Sequence, residues 1–278
     1  MYNADKIKGF YNEYGIKEWE RLDITPYDRI NFHLHMAFMK EHIGHNKKVL
    51  DAGCGAGRFS IEIAKSGSRV TCLDISDEQI NIAKEKLEKA GVMTNVDDCL
   101  VGDISNLSMF EDNTFDAVIC YGAVLSYLLE NTEKAISELV RVTKKGGNVL
   151  VSVNNRWGIF RLLMGRDNFD RKDFFGRPDY WYIDEVARSG NLKSHENVAQ
   201  PPRHFFEGEK LKSLLNVGGL KNIILGGSPC LSCGQAARIN ELIDNAEALE
   251  TILRLEKMSY CKPTMADSGE FLLAKETK

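Results

Sequence analysis

The 278-residue sequence has no long hydrophobic run, no basic excess and no low-complexity linker. No stretch approaches the ~18 consecutive apolar residues of a transmembrane helix, and the polar N-terminus lacks the apolar core of a signal peptide. The formal net charge of −4 gives no overall positive field that would attract nucleic acid or an anionic membrane. We therefore expect a cytoplasmic monomer or homodimer that binds neither nucleic acid nor membrane.

The seven cysteines lack a recognisable framework. Their number is odd and several lie in apolar, strand-like segments, which indicates reduced, buried thiols. Cys230 and Cys233 form a lone C-x-x-C pair. A zinc site would need two further ligands in a recognisable pair, so we expect no metal.

What the sequence does contain is a regular alternation of apolar runs and helical patterns. Strands are expected at 47–53, 68–76, 96–104, 115–122, 148–155, 220–227 and 270–276, and helices at 57–66, 77–91, 132–147, 207–219 and 234–258. This alternation implies a parallel sheet with right-handed crossovers. The predicted fold is a Rossmann-like α/β domain, with a mostly parallel seven-stranded sheet and helices on both faces.

Two segments interrupt the alternation. Residues 1–46 contain two predicted helices, at 3–21 and 26–43, and residues 156–204 are rich in aromatic and charged side chains without a clear period. We expect an N-terminal helical lid and a cap inserted after the fifth strand, both covering the carboxyl edge of the sheet, where ligands bind in such folds. The predicted binding domain spans 47–278.

A Gly-rich turn follows the first predicted strand, in the run VLDAGCGAGR that ends at Arg58. Glycines there let the backbone turn tightly and approach a ligand, and the next helix begins with free N–H groups. Asp74 ends the second strand, where a carboxylate can accept hydrogen bonds from both ribose hydroxyls of a nucleoside. The dinucleotide fingerprint G-x-G-x-x-G would need glycine at Arg58, whereas the third glycine is Gly57. The turn therefore disfavours a nicotinamide-dependent oxidoreductase.

These segments resemble the motifs of class I methyltransferases that depend on S-adenosylmethionine (SAM). The matching segments are LDAGCGAGRFS at 50–60, LDIS at 73–76, GDI at 102–104, FDAVICYGAVLSYL at 115–128, LVRVTKKGGNVLVSV at 139–153 and RHFFEGEKLKSLLNVGGLKNI at 203–223. The last of these has Leu220 where phenylalanine is usual. The resemblance is specific for fold and cofactor and does not identify the methyl acceptor.

The resemblance implies SAM as cofactor and S-adenosylhomocysteine (SAH) as product. It assigns to the cofactor Asp51, Gly53, Cys54, Gly55, Gly57, Arg58, Asp74, Ile75, Asp103, Ile104 and Tyr121. Asp74 would hold the ribose, Asp103 would accept from the adenine amino group, and Tyr121 would lie near the sulfonium and the acceptor.

The N-terminal run YNEYGIKEWERL resembles the lid helix of some small-molecule methyltransferases. Tyr11, Tyr14 and Arg21 would close over SAM. Arg21 or Arg29 could pair with the SAM carboxylate. The alternative is a packed amphipathic helix with solvated arginines.

Methyl transfer from a sulfonium needs little covalent help, so positioning and desolvation can supply most of the rate. A hydroxyl or protonated amine acceptor would need a general base, and His204 is the candidate, with Tyr121 as the second catalytic residue. A capping role for His204 beside Pro202 is the alternative. The predicted substrate-binding residues are His33, Asn154, Trp157 and Arg203.

Aromatic side chains are dense in the cap. They are Trp157, Phe160, Phe169, Phe174, Phe175, Tyr180, Trp181 and Tyr182. They suit an acceptor pocket or a small satellite core. We predict a methyltransferase that moves the methyl group of SAM to an O, N or C atom of a small molecule by in-line displacement. An RNA or protein methyltransferase and a non-catalytic SAM-binding module are the alternatives.

Overall fold

A seven-stranded sheet forms the centre of the computed structural model, which describes residues 1–164, 181–194 and 200–278. Its strands are β1 (Lys48–Ala52), β2 (Arg69–Asp74), β3 (Val96–Val101), β4 (Phe115–Cys120), β5 (Thr143–Asn154), β8 (Lys221–Ser228) and β9 (Phe271–Thr277). Two short strands, β6 (Asn191–Leu192) and β7 (Arg203–His204), form a separate pair. The sheet order is β3-β2-β1-β4-β5-β9-β8, and β9 runs antiparallel to both neighbours while the other pairs are parallel. The predicted Rossmann-like architecture is confirmed.

The described helices lie between these strands and before β1. They are α1 (Ala4–Tyr14), α2 (Lys17–Glu20), α3 (Pro26–Ile43), α4 (Arg58–Lys65), α5 (Asp77–Lys89), α6 (Thr132–Val142), α7 (Arg156–Met164), α8 (Trp181–Ser189), α9 (Gly208–Val217), α10 (Ala236–Asn240) and α11 (Ala246–Ser259). The N-terminus of α3 is fixed by Pro26 and by a capping box between Thr25 and Asp28. None of the described helices is long and apolar enough to cross a membrane.

Three predicted helices have different limits in the structure. The helix expected at 3–21 is divided at Gly15, which ends α1. The helix expected at 132–147 ends at Val142, because Thr143 already pairs with Phe115 of β4 in the sheet. The helical region at 234–258 consists of the two helices α10 and α11. In the second case the sheet overrides the helical pattern, so the Gly-Gly pair lies within β5.

Helices cover both faces of the sheet, as predicted. On one face α3, α4 and α5 bury a cluster that includes Phe38, Ile63 and Leu87. On the other face α6 and α9 bury a second cluster, with Ile136 and Leu211 among its members. Because α3 belongs to the first core layer, the part of the N-terminus that reaches beyond the core is residues 1–25, which we call the N-terminal segment. The predicted boundary at residue 46 stays a prediction.

The N-terminal segment is fastened to the start of α5. The side-chain amide of Gln79 donates to the carbonyls of Tyr11 at 3.1 Å and Gly15 at 2.9 Å. The hydroxyl of Ser76 donates to Oδ1 of Asn12 at 2.6 Å. Gln79 is fully buried, so these bonds are shielded from water. They hold α1 over the end of β2, which precedes α5.

The described part of the cap consists of α7, α8 and the antiparallel pair β6–β7. A small apolar cluster joins these elements and contains Val186, Leu192 and Phe205, packed against Ile159 and Phe160. The aromatic residues Phe169, Phe174, Phe175 and Tyr180 lie outside the described residues. A satellite core is therefore present, and a role of the cap in binding stays a prediction.

Candidate active site

A cavity lies at the carboxyl ends of β1, β2, β3 and β4, and we call it the cofactor cavity. Its empty volume, which includes space open to solvent, is about 590 Å³. It is lined by Tyr2, Ile7, Tyr11, Glu18, Gly53, Gly55, Asp74, Ile75, Gly102, Asp103, Ile104, Tyr121, Gly122, Val124, Tyr127 and Leu128. Four strand ends form its floor and the N-terminal segment covers it.

The Gly-rich turn after β1 shapes the floor. The backbone N–H groups of Gly53 and Cys54 both donate to the carbonyl of Leu73, at 2.7 and 2.9 Å, which binds the turn to β2. Gly53 has a φ of +85°, and a Cβ at this position would lie 2.4 Å from a methyl carbon of Val124. Any larger residue would be strained and would collide, so glycine is required here.

Asp74 lies at the edge of the cavity with a fixed orientation. One carboxylate oxygen accepts from the N–H of Gly55 at 2.8 Å and the other from the N–H of Ser76 at 2.9 Å. Burial raises the pKa of Asp74 to about 6, against the effect of these donors. The geometry is compatible with the predicted ribose contact.

Asp103 lies after β3 and contacts a residue that the sequence did not mark. The hydroxyl of Tyr2 donates to its carboxylate at 2.7 Å, and the N–H of Ser105 donates at 2.8 Å. Ile75 and Ile104 line the same cavity with apolar side chains. Tyr2 belongs to no motif and no periodic pattern, so sequence reasoning had no signal for it.

Four residues that the motif assigned to the cofactor do not line the cavity. Asp51 is buried beneath the turn and accepts from the hydroxyl of Ser60 at 2.5 Å, and burial raises its pKa to about 7. Cys54 is buried, and Gly57 faces Ala83 of α5. These three residues are buried and pack within the protein rather than against the cavity.

The fourth of these residues is Arg58. Its guanidinium donates to the carbonyl of Trp19 and lies 4.2 Å from the centre of the Trp19 ring. This cation–π contact holds α2 against α4. Arg58 thus fastens the N-terminal segment and does not line the cavity, and its predicted contact with the cofactor stays a prediction.

A second cavity adjoins the cofactor cavity. It has an empty volume of about 900 Å³ and is lined by Phe10, Tyr11, Tyr14, Glu18, Arg21, Gly122, Ala123, Tyr127, Asn154, Ile159, Leu162, Gln200, Arg203, Phe205, Glu270 and Phe271. The residues Tyr11, Glu18, Gly122 and Tyr127 line both cavities. Tyr14 and Arg21, predicted to contact the cofactor, line this second cavity, and their contact with the cofactor stays a prediction.

Two polar atoms at the second cavity are buried without a hydrogen-bond partner in the described part of the chain. They are Oδ1 of Asn154 and Nε of Arg203. Arg203 makes one long contact, from Nη1 to the hydroxyl of Tyr127 at 3.3 Å, and its guanidinium lies 5.3 Å from the Phe205 ring. The described residues therefore leave one acceptor and one donor of this wall without a partner.

His204 does not face either cavity. Successive residues of a strand point to opposite faces, so in β7 Arg203 turns toward the second cavity and His204 away from it. Its Nδ1 lies 2.7 Å from Oδ1 of Asn191, and it lines a separate surface pocket that includes Pro202. Burial and the nearby Arg156 lower the pKa of His204 to about 4. The structure thus separates the predicted base from Tyr121.

His33 and Trp157 are also placed outside the cavities. His33 is exposed on α3, because the opposite face of this helix, with Leu34 and Phe38, enters the core. Trp157 is 47% exposed. In α7 it is Ile159 and Leu162, three residues apart on one helix face, that line the second cavity.

Tyr121 lines the cofactor cavity, as expected. Its ring packs edge-on against His35 and Phe59, with centroid distances of 5.3 and 5.1 Å. Burial raises its pKa well above the ordinary value, so the hydroxyl stays protonated at neutral pH. Tyr121 is therefore a wall of the cavity, and its predicted place near the sulfonium and the acceptor stays a prediction.

Comparison with known proteins shows which enzymes this chain resembles. Residues 50–151 match a family model described as a methyltransferase domain. The chain thus contains a methyltransferase domain, and the enzymes it resembles include SAM-dependent methyltransferases. Its cofactor is SAM, and the cavity fits this molecule. Glycines leave space at the β1 turn, Asp74 and Asp103 present carboxylates, and Ile75 and Ile104 present apolar surface.

Relatives of this methyltransferase act on different acceptors. Over 208 residues it is 28% identical to a ubiquinone/menaquinone biosynthesis C-methyltransferase of Cronobacter sakazakii, covering 70% of this chain and 77% of that enzyme. Over 112 residues it is 38% identical to a malonyl-[acyl-carrier protein] O-methyltransferase of Pectobacterium atrosepticum, and this match spans only 40% of each chain. The enzymes that this chain resembles thus differ in the molecules they act on.

A solved structure matches nearly the whole chain. It is a SAM-dependent methyltransferase from Thermotoga maritima, described as a possible histamine N-methyltransferase. The TM-score is 0.61 at 17% identity, over 98% of this methyltransferase and 99% of that chain. At this identity the likeness shows the fold.

Proposed function

We propose that the protein transfers the methyl group of SAM to a small-molecule acceptor held in the second cavity. The observation that carries this proposal is the shared wall of Tyr11, Glu18, Gly122 and Tyr127 between the two cavities. A molecule in the second cavity would lie directly beside the cofactor. One relative named above is a C-methyltransferase of ubiquinone/menaquinone biosynthesis, and another is an O-methyltransferase of malonyl-[acyl-carrier protein]. Their names support a small-molecule or acyl acceptor.

Asn154 and Arg203 would orient the acceptor. Each has a buried polar atom without a partner among the described residues, and such atoms lose free energy unless a ligand satisfies them. The aromatic rings of Tyr14, Phe205 and Phe271 would hold its apolar part. Binding would therefore combine apolar contact with one hydrogen-bond donor and one acceptor.

Catalysis at this site would depend on positioning and exclusion of water. When bound, SAM supplies a methyl group that is already activated by the sulfonium. No histidine lines either cavity in the ranges that the structure describes, and burial keeps the pKa of Tyr11 well above 10. The side chains of this wall would therefore align the acceptor atom with the methyl group rather than remove a proton.

A tritium-transfer assay tests this proposal. The full chain is incubated with methyl-labelled SAM and a panel of phenols, quinols, carboxylates and amines of one or two rings. Arg203→Gln should raise the acceptor KM about tenfold, as expected for one lost hydrogen bond to a charged group, and leave SAM affinity unchanged. The exposed Arg238→Gln is the matched control.

The other candidate functions are outcomes of the same assay. Label in added RNA or protein, with none in any small molecule, would favour an RNA or protein methyltransferase. SAM binding without transfer to any class would favour a non-catalytic module. A net charge of −4 argues against RNA, because phosphate contacts need clustered cations. The monomeric or homodimeric state and the cytoplasmic location remain proposals.

A further inference from the structure

An ion pair of the N-terminal segment lies at the wall between the two cavities. Nε and Nη2 of Arg21 donate to the two carboxylate oxygens of Glu18, at 2.7 and 2.5 Å. The Glu18 side chain is 13% exposed and that of Arg21 is 32% exposed. Glu18 lines both cavities and Arg21 lines the second. Both charges of this pair are largely withdrawn from water, and a buried ion pair is weak evidence for a stabilising role because desolvation offsets the attraction. Its position at a ligand site therefore suggests a role in binding.

The pair approaches the two glycines at the ends of β1 and β4. A Cβ at Gly55 would lie 3.3 Å from Cγ and 3.6 Å from Oε1 of Glu18. A Cβ at Gly122 would lie 3.6 Å from Nη2 of Arg21. Since β1 and β4 are neighbours in the sheet, the carboxylate and the guanidinium stand side by side above one end of the cofactor cavity.

The order of the strands identifies that end. Asp103 follows β3, Asp74 ends β2, and the two glycines follow β1 and β4, in the order β3-β2-β1-β4 along the sheet edge. If the nucleoside lies along Asp103 and Asp74, the amino-acid part of SAM must extend toward Gly55 and Gly122. That part carries one ammonium and one carboxylate group.

We infer that Glu18 binds the α-ammonium group of SAM and that Arg21 binds its α-carboxylate. A carboxylate and a guanidinium held side by side complement a zwitterion, because each finds an opposite charge at hydrogen-bond range. The pair within the segment is then shared with, or exchanged for, pairs to the cofactor. The N-terminal segment would then cover the cofactor cavity fully only when the bound cofactor carries both the ammonium and the carboxylate group. This inference rests on SAM as the cofactor and is independent of the acceptor.

Calorimetric titration of the full chain with three probes tests the inference. SAM carries both charged groups of the amino-acid part, decarboxylated SAM lacks the carboxylate, and 5′-methylthioadenosine lacks the whole amino-acid part together with the sulfonium charge. Arg21→Gln should weaken SAM binding about tenfold or more, as for a lost charged hydrogen bond, and leave the other two probes unchanged. Glu18→Gln should weaken SAM and decarboxylated SAM and leave 5′-methylthioadenosine unchanged.

Matched controls come from the same short helix. Glu20→Gln and Lys17→Gln change exposed charges of α2 and should bind all three probes as the unaltered protein does. Equal weakening of SAM and 5′-methylthioadenosine by Glu18→Gln would mean that the pair merely holds the segment, and would overturn the inference. An effect of Arg21→Gln on decarboxylated SAM as large as that on SAM would overturn the assignment of Arg21. Failure of the unaltered protein to bind SAM would instead contradict the cofactor itself.

Discussion

Glu276 is the buried carboxyl group of β9, and both of its side-chain oxygens lack a hydrogen-bond partner in the described part of the chain. Burial raises its pKa well above the ordinary value. The folded state therefore keeps the group protonated at a pH where the unfolded chain has released the proton. Stability from this group is complete at low pH and falls as the pH rises above the unfolded pKa.

We expect Glu276→Gln to reduce the fall in stability that accompanies a rise in pH. At pH 8 the free energy of unfolding should increase, by about 1.4 kcal/mol for each unit by which the folded pKa exceeds the unfolded one up to that pH, because glutamine takes up no proton on folding. At pH 4 the two proteins should differ little. Denaturant unfolding at several pH values measures the effect. The exposed Glu88→Gln serves as control. Equal stability of Glu276→Gln and the unaltered protein at every pH would contradict the buried, protonated state.

Among single residues, the ones that sequence reasoning placed correctly in the cavity follow directly from strand ends. Gly53, Asp74 and Asp103 come at or just after the end of a parallel strand, and parallel strands end at one edge. His204 could not be placed in this way. The face of β7 on which His204 lies depends on the register of the short pair β6–β7 and on the alternation of side chains within it. Neither is visible in the sequence.

At the scale of elements, α1 and α5 form a latch over the cofactor cavity. Gln79 holds two carbonyls at the end of α1, and Lys8 and Asn12 of α1 contact Asp77 at the start of α5. The cofactor cavity lies beneath α1. We therefore expect these contacts between α1 and α5 to break before a bound ligand can leave.

Gln79→Leu should loosen the latch while keeping the buried volume. Two lost hydrogen bonds of about 1 kcal/mol each predict that SAH dissociates about tenfold faster or more. Stopped-flow displacement of SAH measures this rate. Asn95→Leu, which removes a side-chain bond to the carbonyl of Ala64 far from α1, is the control. An unchanged dissociation rate for Gln79→Leu would show that the latch does not limit release.

For the whole molecule, the N-terminal segment and the sheet domain contribute differently to folding and to binding. Ile7 is the one buried residue within 1–22, all of which the structure describes. Yet this stretch supplies Tyr2, Tyr11 and Glu18 to the cofactor cavity. The core clusters lie in the remainder of the chain, so the two roles are separable.

Deletion of residues 1–22 should leave a cooperatively folded protein that binds SAM at least about tenfold more weakly, because several contacts are lost and the cavity opens to water. Thermal unfolding and calorimetric titration measure the two properties on one preparation. Full SAM affinity in the shortened protein would refute the covering role of the segment.

The sequence by itself determined the layers of the fold, the Gly-rich turn and the cofactor carboxylates, because periodicity and strand ends are local properties of the chain. The tertiary structure decided which side chains from outside the sheet line the cofactor cavity. Tyr2 meets Asp103 across 101 residues, and Glu18 meets Gly55 only because Arg58 and Gln79 hold the N-terminal segment in place. Such contacts depend on how separate elements pack, and no local pattern encodes them.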